Sequence, residues 1–520
     1  LAAQTLALHR AARLYGVALT LLDAHDPRRH AVQVALADTL ARDGRGAMAA
    51  AAYEVAARSA PPELAIELER AAAEQLLRSG RVTEGIAALR AVLSSIGLRM
   101  PSSPRSSVAA LLLARARIRL RGLAFDERAE SEIPRQRLLE IDTTWTAATG
   151  LLQSSVLLGQ YFQARHLLLA LEGGEPRRIA RALGLETLYV ATGGTHDARH
   201  CDALLERVDG LCRRIDDPHA RGIAALAAGA ADVYRGRFVR ACDRLRDAEE
   251  ILRTVDGNPQ WELSTARTFM VMSLMYVGEL REMSQTLARS IRDAVDHDDR
   301  YGELMLRGAY EPLTLLFEDR IDDARAVVAA VERGWPEAIE TATYRYVLAL
   351  TRSRIERYCG NGVASLAAID EQLRPIERSL MLTKQPLRIF MSHDRGCAAL
   401  AAAFCEQGRA RARALSTARA EADRLLAEPT PWGRAMALPL VASIEAASGR
   451  IELATRTLDA AERAFLEQGM RAYAIVVALR RAELRGASRA AAEAATNLRE
   501  LGTTAPEALA RLLLPPVVGW

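Results

Sequence analysis

Apolar residues recur every three to four positions along most of this chain, a spacing that places them on one face of an α-helix. The segment from Leu6 to Leu22 shows this pattern first, and the polar stretch AHDPRRH ends it. Runs of alternating Val, Ile and Thr, which are typical of strands, are missing. The pattern therefore predicts a chain that is almost entirely helical.

The segment from Ala37 to Pro61 contains two such helical stretches separated by Gly44. Small and bulky residues flank this glycine at fixed offsets: Ala37, Leu40, Ala49, Tyr53, Ala56 and Pro61. This is the spacing of a tetratricopeptide repeat, in which two antiparallel helices meet at a tight turn. Small residues let the helices approach closely, and the bulky ones fill the space between them.

Equivalent turn positions recur along the chain, at Gly44, Gly80, Gly159, Gly194, Gly236, Gly278, Asp319, Gly360, Gly408 and Gly449. From Gly159 onward the intervals run from 35 to 48 residues, longer than the ~34 of a standard repeat. A single helical hairpin cannot bury its apolar face, so successive hairpins are expected to stack. We predict an all-α fold, a right-handed α-solenoid of tetratricopeptide-like hairpins.

The sequence also suggests boundaries. Residues 1–100 hold an N-terminal helix and two repeats, and residues 101–137 hold a Pro- and Ser-rich linker followed by a basic and polar helical segment. The main superhelix covers 138–505, and 506–520 form a cap or a tail. Arginines at alternate positions in the basic segment are compatible with a nucleic-acid or membrane patch, but a solvated helix face is the commoner explanation. These arginines are Arg115, Arg117, Arg119 and Arg121.

Composition removes several function classes. The net charge of +4 over 520 residues, with acidic and basic residues interspersed, gives no reason to expect a nucleic-acid partner. The single lysine, Lys384, lies in MLTKQPL, so the chain has no GK[ST] phosphate-binding loop, and GxSxG and the kinase motifs are also missing. We expect no enzyme activity and no cofactor.

Six scattered cysteines without CxxC pairs and the lack of a long apolar run predict a cytoplasmic chain without membrane contact. Because it opens on Leu1 within a helical pattern, we expect it to be part of a longer polypeptide.

Two clusters resemble metal sites. His196 and His200 are four residues apart, but the glutamate of HExxH is missing. The acidic stretch DAVDHDDRYGE, which contains Asp298 and Asp299, lacks the DDxxD order of helical metal-dependent enzymes. We interpret the first as exposed or capping histidines and the second as a solvated loop between repeats, and expect no metal.

Four aromatic residues stand two positions before the turn in four consecutive units: Tyr234, Tyr276, Phe317 and Tyr358. A superhelix would arrange them as a ladder that could contact a peptide or a ring-bearing ligand along a concave groove. The alternative, which we favour, is that each ring fills the joint between neighbouring hairpins. On the same first-helix faces the further groove candidates are Met272, Met275, Arg354 and Arg357.

The segment IDTTWTAATGLLQSSVLLGQYFQARHLLLALEGGEPRRIARAL, residues 141–183, resembles the C-terminal region of large bacterial hybrid serine/threonine protein kinases. The opening AAQTLALHRAARLYGVALTLL and the closing ALARLLLPP are also similar. In that family a kinase domain and an AAA or STAND-type ATPase precede a long tetratricopeptide region. The resemblance implies a regulatory role in signal transduction, and no catalytic residue of the family maps onto this chain.

Two functional hypotheses follow. The leading one is a non-catalytic sensor and scaffold that binds a protein or peptide on its concave surface and regulates an attached or partner kinase or ATPase. The alternative is a receptor whose small-molecule effector enters the superhelix, as in STAND-type regulators. The alternative predicts a closed pocket that contains part of the aromatic ladder.

Overall fold

The structure, a computed structural model, describes residues 2–151, 155–255, 259–335, 341–379 and 381–514, with the side chains of residues 2–7 excepted. Throughout these ranges the regular structure is helical, and no strand occurs in them. The predicted all-α solenoid is confirmed. The helices of the first part of the chain are α1 Ala2–Leu21, α2 Arg29–Arg42, α3 Gly46–Arg58, α4 Pro62–Arg78, α5 Val82–Ser95, α6 Pro104–Arg121, α7 Arg135–Leu151, α8 Val156–Gly173, α9 Pro176–Ala191, α10 Ala198–Ile215, α11 Pro218–Tyr234 and α12 Phe238–Arg253.

The second part of the chain continues in the same way, with short 3₁₀ turns at Glu130–Glu132 and Met381–Thr383. Its helices are α13 Gln260–Val277, α14 Leu280–Asp296, α15 Arg300–Ala309, α16 Glu311–Phe317, α17 Ile321–Gly334, α18 Ala342–Tyr358, α19 Gly362–Arg378, α20 Gln385–Cys405, α21 Gly408–Leu426, α22 Pro431–Ala447, α23 Ile451–Glu467, α24 Arg471–Leu484, α25 Ser488–Leu501 and α26 Pro506–Leu513.

Consecutive helices pack as antiparallel hairpins, and each hairpin also packs against the next one. The pairs α11 with α12, α18 with α19 and α20 with α21 are typical, and α12 in turn packs on α13. In one unit the first helix is broken into α15 and α16. Pro312, the second residue of α16, has no backbone N–H with which to continue the hydrogen bonding of α15. First helices, such as α11 and α13, face the inside of the solenoid, whereas second helices carry its outer surface.

The predicted turn positions adopt the left-handed conformation that glycine favours. Positive φ occurs at Gly44, Gly80, Gly194, Gly236, Gly278, Asp319, Gly360, Gly408 and Gly449. The prediction at Gly159 was wrong, because this residue lies inside α8 and is buried there. A glycine inside a helix gave the same signal as a turn glycine, because apolar residues at helical spacing lie on both sides of it.

Residues 98–103 are non-helical, as the Pro- and Ser-rich composition indicates, and Ser103 caps α6 by accepting a hydrogen bond from the Ser106 backbone N–H. The helix then packs on α8. Arg115 forms an ion pair with the buried Glu186, while Arg117 and Arg119 are exposed. The basic segment is thus a helix attached to the outside of the main array.

The superhelix is wound tightly enough for each of four turns to touch a segment that lies about 190 residues later in the chain. Four turns meet residues near the start of C-terminal helices, and we call these contacts the closure interface: Gly194 with Gln385, Gly236 with Trp432, Gly278 with Ala472, and the Asp319 turn with Thr504. Thr504 N donates to Phe317 O at 2.8 Å, and Thr195 N donates to Gln385 Oε1 at 2.8 Å.

The closure interface gives its glycines a second role besides their backbone conformation. A Cβ on Gly278 would lie 2.8 Å from Ala472 N, and a Cβ on Gly236 would overlap the Trp432 indole. At Gly449, by contrast, a Cβ would meet no atom within 4 Å. Glycine is therefore required by close approach at the first two positions and by φ alone at the third.

The C-terminal helix α26 packs on α18 and α24. Arg357 on α18 donates to Leu512 O through Nε at 3.0 Å and through Nη2 at 2.8 Å, and Arg511 donates to Tyr358 O at 3.2 Å. Within the predicted cap or tail, residues 506–514 thus lie against the array, and 515–520 fall outside the described residues. None of the described helices combines the length and apolarity that crossing a membrane requires.

Candidate functional site

The inner faces of the first helices line a cavity of about 280 Å³. This is close to the lower end of the roughly 300–1,000 Å³ typical of ligand pockets. Six first helices supply the wall, and each contributes apolar or aromatic side chains. The principal residues are Leu188 and Tyr189 on α9, Tyr234 on α11, Trp261, Thr265, Thr268, Phe269, Met272 and Tyr276 on α13, Tyr301, Met305 and Ala309 on α15, Tyr346, Leu350 and Arg354 on α18, and Leu387 and Phe390 on α20.

Helix α13 contributes the longest part of this wall. Its inward side chains are Thr265, Phe269, Met272 and Tyr276, which are separated by three or four residues and so share one helical face. The other faces of α13 are buried against α12 and α14. Because α13 is packed on several sides, the positions of its cavity-facing side chains are fixed by the surrounding repeats.

An aromatic stack supports the cavity on the side of the closure interface. The Tyr276 ring stacks on Phe238, with centroids 4.6 Å apart, on Phe390 at 5.3 Å and on Tyr473 at 5.9 Å. Trp432 packs edge-on against Phe238 at 5.9 Å. These rings come from five separate repeats, so the stack joins the cavity wall to the C-terminal helices.

Of the cations near the cavity, Arg354 is neutralised by a buried carboxylate. Its Nη2 donates to Asp394 Oδ2 at 2.7 Å, and Arg357 Nη2 donates to Asp394 Oδ1 at 2.8 Å. Burial raises the pKa of the Asp394 carboxyl, but the two guanidinium groups together hold it below its ordinary value. The adjacent His393 has its pKa lowered to about 4 by burial and is neutral at pH 7.

Lys384 is the other charged residue in the wall, and it directly precedes α20. No described residue forms a hydrogen bond or an ion pair with its ammonium group. Burial lowers the pKa of this ammonium to about 8. The neighbouring Arg388 is already paired with Glu428. A lysine at a helix N-terminus also opposes the helix dipole, so this placement costs stability in the empty protein.

The hydroxyl groups of the wall fall into two sets. Thr265 and Thr268 donate to the carbonyls of Trp261 and Ser264, Thr351 donates to Gly308 O at 2.8 Å, and Tyr346 donates to Leu387 O at 3.0 Å. The hydroxyl of Tyr189 is buried without a partner among the described residues. The wall also contains Tyr234, Tyr276, Tyr301 and Tyr310, and no described residue forms a hydrogen bond with their hydroxyls. The wall thus offers a ligand a mainly apolar and aromatic surface that also presents free tyrosine hydroxyls.

The sequence-derived candidates divide into two groups. Five of them line the cavity: Tyr234, Tyr276, Met272, Met275 and Arg354. The other three, Phe317, Tyr358 and Arg357, are buried away from it. There the backbone carbonyls of Phe317 and Tyr358 accept hydrogen bonds from the C-terminal segment. Tyr358 Oη also donates to Asp319 Oδ1 at 2.8 Å. The four aromatic residues therefore do not form one continuous ladder on an open groove.

Sequence reasoning missed Lys384 as a binding candidate and used it only to exclude a phosphate-binding loop. A signal was nevertheless present, because a chain in which every other basic residue is arginine contains one lysine. Arginine holds its charge wherever it is buried, whereas a buried lysine changes its pKa readily. The single lysine is therefore informative, because its charge responds to burial in a way that the charge of an arginine does not.

The two clusters that resemble metal sites differ in their burial. Asp299 is buried, so the prediction of a solvated loop was wrong for it. It caps α15 by accepting from Gly302 N at 3.0 Å and also accepts from the Ser264 hydroxyl. Asp293 pairs with Arg267, while His196 and His200 are exposed near the start of α10. Among the residues in the described ranges, no group of three possible ligands is placed to hold a metal ion.

Comparisons with known proteins give a likeness to solved structures, but none to a protein family or to a curated protein. No protein-family model matches the chain. The curated proteins contain no match either. The solved structure "Crystal structure of APC/C hetero-tetramer Cut9-Hcn1" is similar with a TM-score of 0.42 and 13% sequence identity, over 96% of this chain and 85% of that one.

Proposed function

We propose that this chain is the ligand-sensing region of a signalling protein, in which a small molecule with a mainly apolar body enters the solenoid and stabilises its closed form. The observation that carries the proposal is the aromatic cavity among the first helices. It contains Tyr234 and Tyr276 of the predicted ladder, as the effector hypothesis requires. An attached or partner kinase or ATPase in the cytoplasm would then respond to the change in the solenoid.

The architecture favours a small molecule over a peptide for this inner surface. A peptide in a solenoid needs a continuous concave groove. Here the inner turns at Gly236 and Gly278 contact Trp432 and Ala472 of the C-terminal repeats. The space that remains is bounded by helices from six repeats and has the size of a compact ligand. A ligand that contacts α9, α13, α18 and α20 together would stabilise the closed superhelix relative to an open one.

Binding of a neutral fluorescent probe tests the proposal. N-phenyl-1-naphthylamine should bind with one-to-one stoichiometry and fluoresce in the apolar cavity. A saturating ligand should also raise the unfolding temperature, because a ligand at 100 times its dissociation constant stabilises by about 2.7 kcal/mol. Thr268→Trp should reduce the affinity at least about 100-fold by filling the cavity.

Thr496→Trp is the matched control for this variant. Thr496 is on the outer surface of α25, and like Thr268 its hydroxyl donates to the carbonyl four residues earlier, at 2.9 Å. Affinity in this variant should equal that of the unmodified chain. Absence of saturable binding, or binding that Thr268→Trp leaves unchanged, would overturn the proposal.

A protein-binding scaffold is the second candidate, and exposed apolar side chains on α6 favour it. Leu112, Leu113 and Leu120 are 64%, 55% and 89% exposed, although scattered exposed leucines are common on surfaces. The partner would be the kinase or ATPase domain of the same polypeptide or complex. The double variant Leu112→Ser with Leu120→Ser should weaken co-purification with that domain without changing probe binding, and unchanged co-purification would count against this candidate.

A further inference from the structure

Charge in the cavity wall has only one sign. Among the described residues that line the cavity, the two charged side chains are Arg354 and Lys384, and no carboxylate lines it. Asp394 compensates Arg354, and it is shared with Arg357. The ammonium of Lys384 is left without a counter-ion in surroundings that are mainly apolar.

Several features at Lys384 favour an anion in the same place. The residue precedes α20, whose N-terminus carries the positive end of the helix dipole. Burial already lowers the pKa of the ammonium to about 8, so removal from water disfavours its charge. The carboxylate of Glu428 pairs with the neighbouring Arg388 and does not pair with Lys384. A bound anion would restore the missing partner and gain charge-assisted hydrogen bonds.

The remainder of the wall determines the rest of the ligand. Met381 and Leu387 flank Lys384 in the wall, and Phe390 follows one helical turn after Leu387. The Thr265, Thr268 and Thr351 hydroxyls are engaged with backbone carbonyls. The hydroxyls that remain free belong to tyrosines whose rings line the wall, so most of the surface that a ligand would contact is apolar or aromatic. A ligand with several further charged groups would therefore lose its hydration without a countercharge.

We propose that the ligand of this cavity is an amphipathic organic anion, whose acidic group pairs with the Lys384 ammonium while its apolar or aromatic body contacts α13 and α18. This inference rests on the proposed function and narrows it to a ligand class. The acidic group can be a carboxylate or a sulfonate, since both supply oxygen acceptors with negative charge.

Two closely related probes test the charge preference directly. 1-Anilinonaphthalene-8-sulfonate has the ring system of N-phenyl-1-naphthylamine with one permanently charged sulfonate added. The unmodified chain should bind the sulfonate at least about ten-fold more tightly than the neutral compound. Lys384→Met should remove this preference while leaving the affinity for the neutral probe within about two-fold, and Lys384→Arg should retain part of it.

Arg378→Met serves as the control for loss of net charge, because Arg378 is exposed near the end of α19. It should behave like the unmodified chain toward both probes. Equal affinities of the unmodified chain for the two probes, or a preference that survives Lys384→Met, would overturn the anion inference and leave the cavity proposal standing. Failure of both probes to bind would overturn the proposed function and this inference together.

Discussion

The cavity wall and the closure interface are neighbours, yet they differ in how completely they are packed. At the closure interface Trp432 lies against Gly236, so a methyl group in place of a Gly236 hydrogen would overlap the indole. In the cavity wall, side chains such as Met272 and Thr268 border unfilled space of about 280 Å³. Both regions are formed by the same repeats. One set of residues therefore holds the closed form of the solenoid, and another set leaves space in which a ligand can bind.

Asp394 connects the cavity wall with the C-terminal helix α26, because it pairs with Arg354 in the wall and with Arg357, which donates to Leu512 O. Its replacement should have the largest effect. Asp394→Asn leaves Arg354 and Arg357 buried without a negative partner, and breaking such a buried arrangement costs about 3–5 kcal/mol. Asp370→Asn is the control, because Asp370 pairs with Arg395 at 2.8 Å but is 43% exposed, and should cost about 1 kcal/mol or less. Urea unfolding followed by circular dichroism measures both.

The dependence of this effect on pH has a defined sign. The folded-state pKa of Asp394 is lowered, so its stabilising contribution is present above the unfolded value near 3.8 and is lost as pH falls below it. The difference in unfolding free energy between the unmodified chain and Asp394→Asn should therefore shrink in acid. A difference that stays constant from pH 7 to pH 3 would contradict the assignment.

The closure interface should be sensitive to one methyl group at a turn. Gly236→Ala adds overlap with Trp432 to the strain of φ +76°, whereas Gly449→Ala at φ +78° adds the strain alone. We expect about 1–2 kcal/mol for the control and about 1–3 kcal/mol more for Gly236→Ala. Equal shifts of the two urea midpoints would show that the close approach at Gly236 does not matter.

In the cavity wall, removal of a charge should stabilise the empty protein. Lys384→Met replaces an uncompensated, half-buried ammonium and should raise the unfolding free energy at pH 7 by about 1–3 kcal/mol. Because the folded pKa of Lys384 is lowered to about 8, the unfolded chain binds more protons above that pH. The unmodified chain therefore gains stability between about pH 8 and pH 10.

The advantage of Lys384→Met should decrease across that pH interval. The nearby charged groups form two ion pairs, Arg388 with Glu428 and Arg354 with Asp394, which are the same in the unmodified chain and in the variant. Denaturation at pH 7 and pH 10 measures it. A variant that is less stable than the unmodified chain at pH 7 would indicate a counter-ion for Lys384.

The smallest effect on stability is expected where the cavity offers space. Thr268→Trp should change the unfolding free energy by less than about 1 kcal/mol, since the indole enters an existing void whose burial gain offsets the loss of one hydroxyl hydrogen bond. Its melting temperature, compared with that of Thr496→Trp, provides the measurement. Strong destabilisation would mean that the wall is already close-packed at this position.

Local features of the fold could be predicted from the sequence, while contacts between distant repeats could not. Turn positions such as Gly278 were recognised because positive φ is a local requirement. Its close approach to Ala472 joins residues 194 positions apart and has no local signal. Gly159 shows the opposite failure, since a glycine inside a helix has the same spacing as a turn glycine.

The candidate site was predictable to a similar extent. Equal offsets from the turns identified Tyr276 and Phe317 as equivalent, yet one lines the cavity and the other accepts hydrogen bonds from Thr503 and Thr504. The superhelical winding decides between these roles. Lys384 could have been recognised by its uniqueness, but its burial and its lack of a partner are properties of the folded chain.

The most direct test of the central claim is a crystal structure of the chain in complex with 1-anilinonaphthalene-8-sulfonate. We predict that the rings of the probe lie between α13 and α18, and that a sulfonate oxygen lies about 2.7–2.9 Å from Lys384 Nζ. A cavity that remains empty at saturating probe, or a probe bound only on the outer surface of the solenoid, would contradict the claim.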